Sequence, residues 1–285
     1  GVVLGSVFRV GREDLAALTI ATSDGSLSTP RYLGPRGDAG SLKVAWTGER
    51  VIALRLLRDG LTRRGFSVQA VDLEGELLDE IEVELSSGYG FELAVSEEAI
   101  AVVVNVVQPE RELWEMRLFT LAHDGSLLMP PRTLTSTPYS NAFRLVGVPG
   151  GWLLVLPGGR GEPAELQHLS PEGELLRSGP LGDGIVLGGS GRDDDFRAEP
   201  GTGRVAAVWQ DQEIAAQLHV ALLDSEGMLT HDWSGPLDPS PGSEGPFITT
   251  PSITFAGGRL LVSWVEIAPD ETPNRVLVRE FGCID

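Results

Sequence analysis

Cysteine occurs once in these 285 residues, as Cys283, and lysine once, as Lys43. A single thiol closes no internal disulfide, so the chain is not a small scaffold stapled by bridges. Long apolar runs are missing as well: the longest nearly uninterrupted one, 99–107, falls far short of the roughly 20 residues that cross a bilayer as a helix. Positive charge is scarce, with 22 Lys and Arg against 41 Asp and Glu and a formal net charge of −19. A surface of that sign repels phosphate, which argues against nucleic acid as a partner and against insertion into or adsorption on anionic membranes. The sequence opens at Gly1 with no Met, charged n-region or apolar h-region, so the expectation is that any signal or anchor has been removed or lies outside this sequence.

What is present is turn chemistry and repetition. The chain has 36 Gly and 19 Pro alongside 41% hydrophobic residues, a composition of many short elements around a sizeable core. Five related stretches, "SDGSLSTP" (23–30), "LEGELLDE" (73–80), "HDGSLLMP" (123–130), "PEGELLRS" (171–178) and "SEGMLTHD" (225–232), centre on Gly25, Gly75, Gly125, Gly173 and Gly227. The intervals between those glycines are 50, 50, 48 and 54 residues. Each unit reads as four short strands. In the second these are 41–48, 50–57, 66–73 and 76–85, with alternation of period two in the last. The acidic residue before each glycine marks the turn between third and fourth strands, where a left-handed backbone is needed. Comparable hairpins are expected at "VGVPGGWLLVLPG", "EPGTGRVAAVWQD" and "PSITFAGGRLLVSWVEI".

Four antiparallel strands per 50 residues, repeated without a convincing helix, predict an all-β fold, a β-propeller. Second strands such as "VIALRLL", "IAVVVNVV" and "WLLVL" are apolar on both faces, as sheets stacked between neighbours require. The expectation is one domain over 1–285 with units at about 2–40, 41–90, 91–141, 142–195, 196–250 and 251–285. That makes six four-stranded blades, the first lacking its inner strand and the last its outer strand. Seven blades follow if a whole unit is missing. A segment of ~20 residues upstream of Gly1 is expected to supply the absent strands. A cysteine there would pair with Cys283, the other reading being an unremarkable free thiol.

"PSITFAGGRLLVSWVE" and "RVAAVWQD … LHVALLDSEGMLT" resemble the roughly fifty-residue "LVVWxD…GxxL" repeats of secreted proteins of myxobacteria and related bacteria. The resemblance is strong in the fifth and sixth units. In the second, third and fourth, the Trp of the pattern is replaced by Arg55, by Val104 or Asn105, and by Leu156. It implies an extracellular, periplasmic or outer-envelope propeller and brings no catalytic residues with it.

Trp209 and Trp264 recur at equivalent strand ends and are expected to pack between blades, as repetition at one position implies. Asp193, Asp194 and Asp195, with Asp183, Asp238 and Glu244 from neighbouring loops, are candidate oxygen ligands for Ca2+. Their run departs from the alternating D-x-D-x-D-G spacing of a calcium loop, which favours a solvated acidic loop and no required cofactor. The histidines, His123, His168, His219 and His231, show no zinc-binding spacing, and no nucleophile elbow or phosphate loop occurs. Loops carry function on rigid frames. The loop-borne Arg63, Arg64, Tyr89, Tyr139, Arg160, Trp233 and Glu244 are therefore the candidate ligand-binding residues.

The function expected from the sequence is that of a secreted or envelope-associated scaffold, monomeric and binding protein or glycan, with no catalysis assigned. Two alternatives stand beside it. One is a carbohydrate-active hydrolase or lyase with its site at the central funnel; the other is a structural module of a longer surface protein.

Overall fold

The computed structural model describes residues 2–10, 13–21, 29–33, 39–47, 49–59, 62–72, 76–85, 88–108, 113–137, 143–159, 161–187, 194–199, 201–210, 218–233, 247–256, 259–267 and 275–281. All regular structure among them is β. The chain divides into two compact units, Gly1–Tyr139 with Pro171–Gly173, and Ser140–Ser170 with Glu174–Asp285.

In the first unit, β1 (Val2–Val10), β2 (Glu13–Ala21) and β3 (Arg31–Tyr32) make a three-stranded sheet. A four-stranded sheet follows, of β4 (Ala39–Trp46), β5 (Val51–Asp59), β6 (Thr62–Val71) and β7 (Leu77–Glu84). The next has β8 (Gly88–Val95), β9 (Ile100–Gln108), β10 (Leu113–Leu121) and β11 (Arg132–Thr137). The second unit holds two more four-stranded sheets: β12 (Arg144–Val148), β13 (Gly151–Leu156), β14 (Glu165–Leu169) and β15 (Leu175–Pro180), then β16 (Asp194–Ala198), β17 (Val205–Gln210), β18 (Leu218–Leu223) and β19 (Leu229–Asp232). A three-stranded sheet, β20 (Phe247–Ala256), β21 (Arg259–Ile267) and β22 (Arg275–Phe281), ends it. In every sheet the strands are antiparallel and lie side by side in chain order.

The expected count of six four-stranded blades, or seven, is corrected. From Ala39 onward there are five blade-like sheets, four with four strands and the last with three, while the N-terminal sheet ends in a strand of two residues and is not a full blade. Strand β3 follows the Gly25 turn as β7 follows the Gly75 turn, so β1, β2 and β3 stand where β5, β6 and β7 stand in the next sheet. The N-terminal sheet ends in the two-residue β3, after which Leu33 leaves the ladder.

Second strands are apolar throughout because their two faces enter different cores. From β5, Val51 and Ala53 join Leu18 and Leu33 of the preceding sheet, while Ile52, Leu54 and Leu56 join Ile100, Val102 and Val104 of the next. In the second unit Val205, Ala207 and Trp209 pack with Leu153 and Val155, while Ala206 and Val208 pack with Val262 and Trp264. Each fully buried aliphatic side chain contributes about 1.5–3 kcal/mol by leaving water, so stacking sheet on sheet is the main source of stability.

Arg55 occupies the β5 position that faces the preceding sheet, as Trp209 and Trp264 do in theirs. It is 1% exposed. Its guanidinium donates to the Leu33 carbonyl just past β3, to Ser67 Oγ at 3.2 Å and to Glu80 Oε1 at 3.0 Å. Gln69 Nε2 donates to the same Glu80 oxygen at 2.7 Å. The arginine thus satisfies a carbonyl that the short β3 leaves behind. Removing it leaves the buried Leu33 carbonyl without that donor and empties the space of a large buried side chain, so Arg55→Ala is expected to cost about 2–4 kcal/mol in urea unfolding, against less than about 1 kcal/mol for Arg259→Ala at the exposed pair with Glu280.

Turn glycines behave as their sequence context requires. Gly125, Gly173 and Gly227 have φ of 91°, 80° and 81°. In the "HDGS" turn Asp124 Oδ1 accepts from Ser126 N at 2.9 Å, and hydrogen bonding from Ser126, through its hydroxyl first and this main-chain N–H second, holds the Asp124 carboxyl below its ordinary value. At Gly125 nothing lies near the space a Cβ would fill, whereas at Gly227 a Cβ would overlap Leu166 Cδ2 of the preceding sheet. Gly227→Ala is therefore expected to lose about 2–4 kcal/mol from backbone and overlap together. Gly125→Ala should lose about 1–2 kcal/mol from backbone alone. Equal losses in chemical unfolding would overturn the packing role of the Gly227 turn.

Candidate functional site

Polar side chains gather where one sheet is joined to the next. Along the first strands, Lys43 Nζ of β4 meets Glu92 Oε1 of β8 at 2.7 Å. Within the second unit, Arg144 of β12 reaches Asp194 of β16, with Nη2 at 2.9 Å from Oδ1 and 3.0 Å from the main-chain carbonyl. The neighbouring Asp195 turns the other way. Its Oδ2 accepts from Ser252 Oγ at 2.9 Å and from Ile253 N at 3.1 Å on β20.

A second set of joints lies at the recurring Gly turns. Arg31 of β3 pairs with Glu76, ahead of β7, at 3.4 Å. Thr120 Oγ1 of β10 donates to the Pro171 carbonyl at 3.3 Å, and Arg132 of β11 to the Glu172 carbonyl at 3.5 Å. Arg177 of β15 donates through Nη1 to Glu226 Oε2 at 2.9 Å and through Nη2 to Met228 Sδ at 3.4 Å. Gly182 N also donates to the Gly227 carbonyl at 3.2 Å. The repeated acidic-Gly element is thus the part of a sheet that its predecessor grips.

The last of these joints contains a cleft of about 110 Å³. Arg177 and Glu226 stand at its rim, with side chains 51% and 62% exposed. Leu166, Pro180 and Met228 form apolar wall, and His168 completes the lining. Strand pairing explains the cluster: His168 lies opposite Arg177 in the β14–β15 ladder, on the same face of β14 as Leu166, and the bare Gly227 lets the next sheet's turn come against that face. The His168 Nε2 atom is buried without a hydrogen-bond partner. Burial holds the imidazole below its ordinary value of 6.5; the Glu226 carboxylate opposes this and the Arg177 guanidinium adds to it. At neutral pH the cleft therefore holds one cation, one anion and a neutral ring.

The sequence-selected residues that the structure describes fall elsewhere. Arg63 and Arg64 were expected on a loop but lie within β6, because the β5–β6 ladder continues through Arg58↔Arg63 and Asp59↔Thr62. Tyr89 lies in β8 rather than in the loop before it. Asp194 and Asp195 belong to β16, where adjacent residues point to opposite faces, so they diverge instead of converging on an ion. Among the described residues no group of three His, Cys, Asp or Glu is placed to hold a metal. Trp233 lies just past β19 and is half-buried, stacked with His231 at 5.9 Å and tilted against Phe281 at 5.5 Å. Tyr139, Arg160, Asp193 and Glu244, like Asp238 and Cys283, lie outside the described residues. Trp209 packs between sheets as expected, its ring stacked on His219 at 5.2 Å. His123 Nε2 lies 3.0 Å from the Ser96 carbonyl. Arg177 and Glu226 were not singled out from the sequence. The signal was the acidic residue repeated before each turn glycine, of which Glu226 is met by an arginine of the preceding sheet.

No family model matches the chain, and no curated protein matches it in sequence. Solved structures do match. The β-propeller domain of the Trilobed protease from Pyrococcus furiosus is 9% identical with a TM-score of 0.54, covering 98% of this chain and 79% of that one. A subtype N10 neuraminidase-like protein of A/little yellow-shouldered bat/Guatemala is 13% identical with a TM-score of 0.54, covering 89% and 82%. The protein is an all-β propeller. At these identities the likeness shows the fold alone. An endo-arabinase from Bacteroides thetaiotaomicron also matches, at 12% identity and a TM-score of 0.47 over 99% and 90% of the chains, which is too distant to carry an argument. Nothing ties the chain to the myxobacterial repeats it resembles.

Because burial depresses the His168 value, the stability linked to its neutral form is complete above its unfolded value near 6.5 and is lost as pH falls through the folded one. The Tm of the native protein relative to His168→Phe is therefore expected to drop between pH 7.5 and pH 5. A difference that does not change with pH would show that the ring is not buried in its neutral form.

Proposed function

We propose that this propeller is a secreted or envelope-associated binding scaffold for protein or glycan and not an enzyme. The observation that carries the reading is the cleft at the joint between the β12–β15 and β16–β19 sheets. There Arg177, Glu226 and His168 stand on a rigid β frame with apolar wall beside them. A concave, partly apolar site with a few convergent polar groups is the usual form of a ligand site. The charged pair on the first strands, Arg144 and Asp194, has side chains only 14% and 6% exposed, and both are engaged in holding β12 to β16.

That same buried pair is the observation favouring a second reading, a carbohydrate-active hydrolase or lyase, since buried ionisable residues in contact are also the mark of catalytic sites. The two readings separate in one experiment. The purified chain is applied to printed oligosaccharide and peptide arrays, and in parallel incubated with a panel of nitrophenyl glycosides. Retention of at least one array ligand without nitrophenol release is the expected result. Release that is abolished in Asp194→Asn would establish the enzyme instead, and an array with no retained ligand would overturn the scaffold.

A further inference from the structure

We propose that the cleft at the Gly227 turn is a binding site for one neutral sugar unit, a six-membered ring held edge-on by its hydroxyl groups. The inference rests on the scaffold reading and names the ligand class of its site.

Charge decides the class. Arg177 and Glu226 already neutralise each other across 2.9 Å, and His168 adds no charge at neutral pH because burial favours its neutral form. A carboxylate or phosphate ligand would have to draw Arg177 away from Glu226 and leave that carboxylate facing the incoming anion. A cation would meet the same obstacle in reverse. A pair of neighbouring hydroxyls breaks nothing: one accepts from the guanidinium while the other donates to the carboxylate. Each hydrogen bond to a charged group contributes more than one between neutral groups. Arg177 uses its two terminal nitrogens toward Glu226 and Met228 Sδ, which leaves further N–H donors and Glu226 Oε1 for the ligand.

The floor and walls agree with that choice. His168 Nε2 is a buried polar atom with no partner in the protein. It is closed off from a water-sized probe, so a sugar meets the His168 ring beside it and the hydrogen bonds fall to Arg177 and Glu226. Leu166, Pro180 and Met228 present apolar surface to the C–H face of a ring. Size sets the limit. A volume of about 110 Å³ is smaller than the roughly 150 Å³ cavity that encloses benzene, so the cleft takes the edge of one ring while the rest of a chain stays in solvent. The rim side chains are half exposed, as such an arrangement needs.

The test is a titration of the full chain with D-glucose, D-galactose and D-xylose, followed by proton NMR of the four histidine rings. The ring signal absent from His168→Phe is expected to shift with at least one sugar. Glu226→Gln, an exposed change that leaves the fold intact, is expected to weaken that sugar about tenfold. D-Glucuronate is expected to bind no tighter than D-glucose. A His168 signal that no sugar moves, an affinity unaltered in Glu226→Gln, or a tenfold preference for glucuronate would each overturn the proposal. Array ligands retained equally by native protein and Glu226→Gln would sink the cleft while leaving the scaffold standing. An array without any retained ligand would sink both.

Discussion

Every complete sheet in this protein has to be covered on both of its faces, and most of what the chain does follows from that constraint. A four-stranded sheet buried on one side can alternate apolar and polar residues; one buried on both cannot. Hence Val51 and Ala53 turn to one core while Ile52, Leu54 and Leu56 turn to another, and the strand reads as an unbroken apolar run. Polar residues in the middle of the stack are few: among the described residues Arg55, Ser67, Gln69, Asn105 and Thr120 are buried there. Arg55, the largest of them, is buried together with the carbonyl, hydroxyl and carboxylate that receive its donors.

Polar chemistry is therefore displaced to the two margins of the stack. At the first strands it is spent on holding neighbours together, which is why the acidic residues at 194 and 195 are engaged with β12 and β20. At the turns before the fourth strands the fit is looser. A glycine without Cβ lets a turn come against the neighbouring sheet at Gly227, and an arginine closes over it. The cleft is the room left when that closure is incomplete. Its imidazole ring, cation and anion line that opening as by-products of fastening, and this makes a joint the most economical place in the fold for a ligand.

Strands, their order and their turns were legible in the residues. The left-handed glycines at 125, 173 and 227 and the doubly apolar second strands come from local sequence and need no knowledge of the partner. What was not legible depends on pairing. Arg63 and Arg64 look like loop residues until the β5–β6 ladder is seen to run on past Leu57. The outer strand of the N-terminal sheet fails at two residues, so counting repeats overstated the number of complete blades. The Arg177–Glu226 pair joins residues 49 positions apart; one sequence gives no means of knowing that two half-exposed side chains from different units meet.

The joints also have a direction. The sheet ending in β3 supplies Arg31 to the turn before β7, and the sheet ending in β15 supplies Arg177 to the turn before β19. A sheet thus offers a hook on its trailing side and an eye on its leading side, about fifty residues apart. The hooks are not interchangeable: Arg31 meets a carboxylate and Arg132 a main-chain carbonyl. Loss or gain of one such length therefore brings an unmatched hook and eye face to face at a single joint, and that one joint is where a change in the number of sheets has to be refitted.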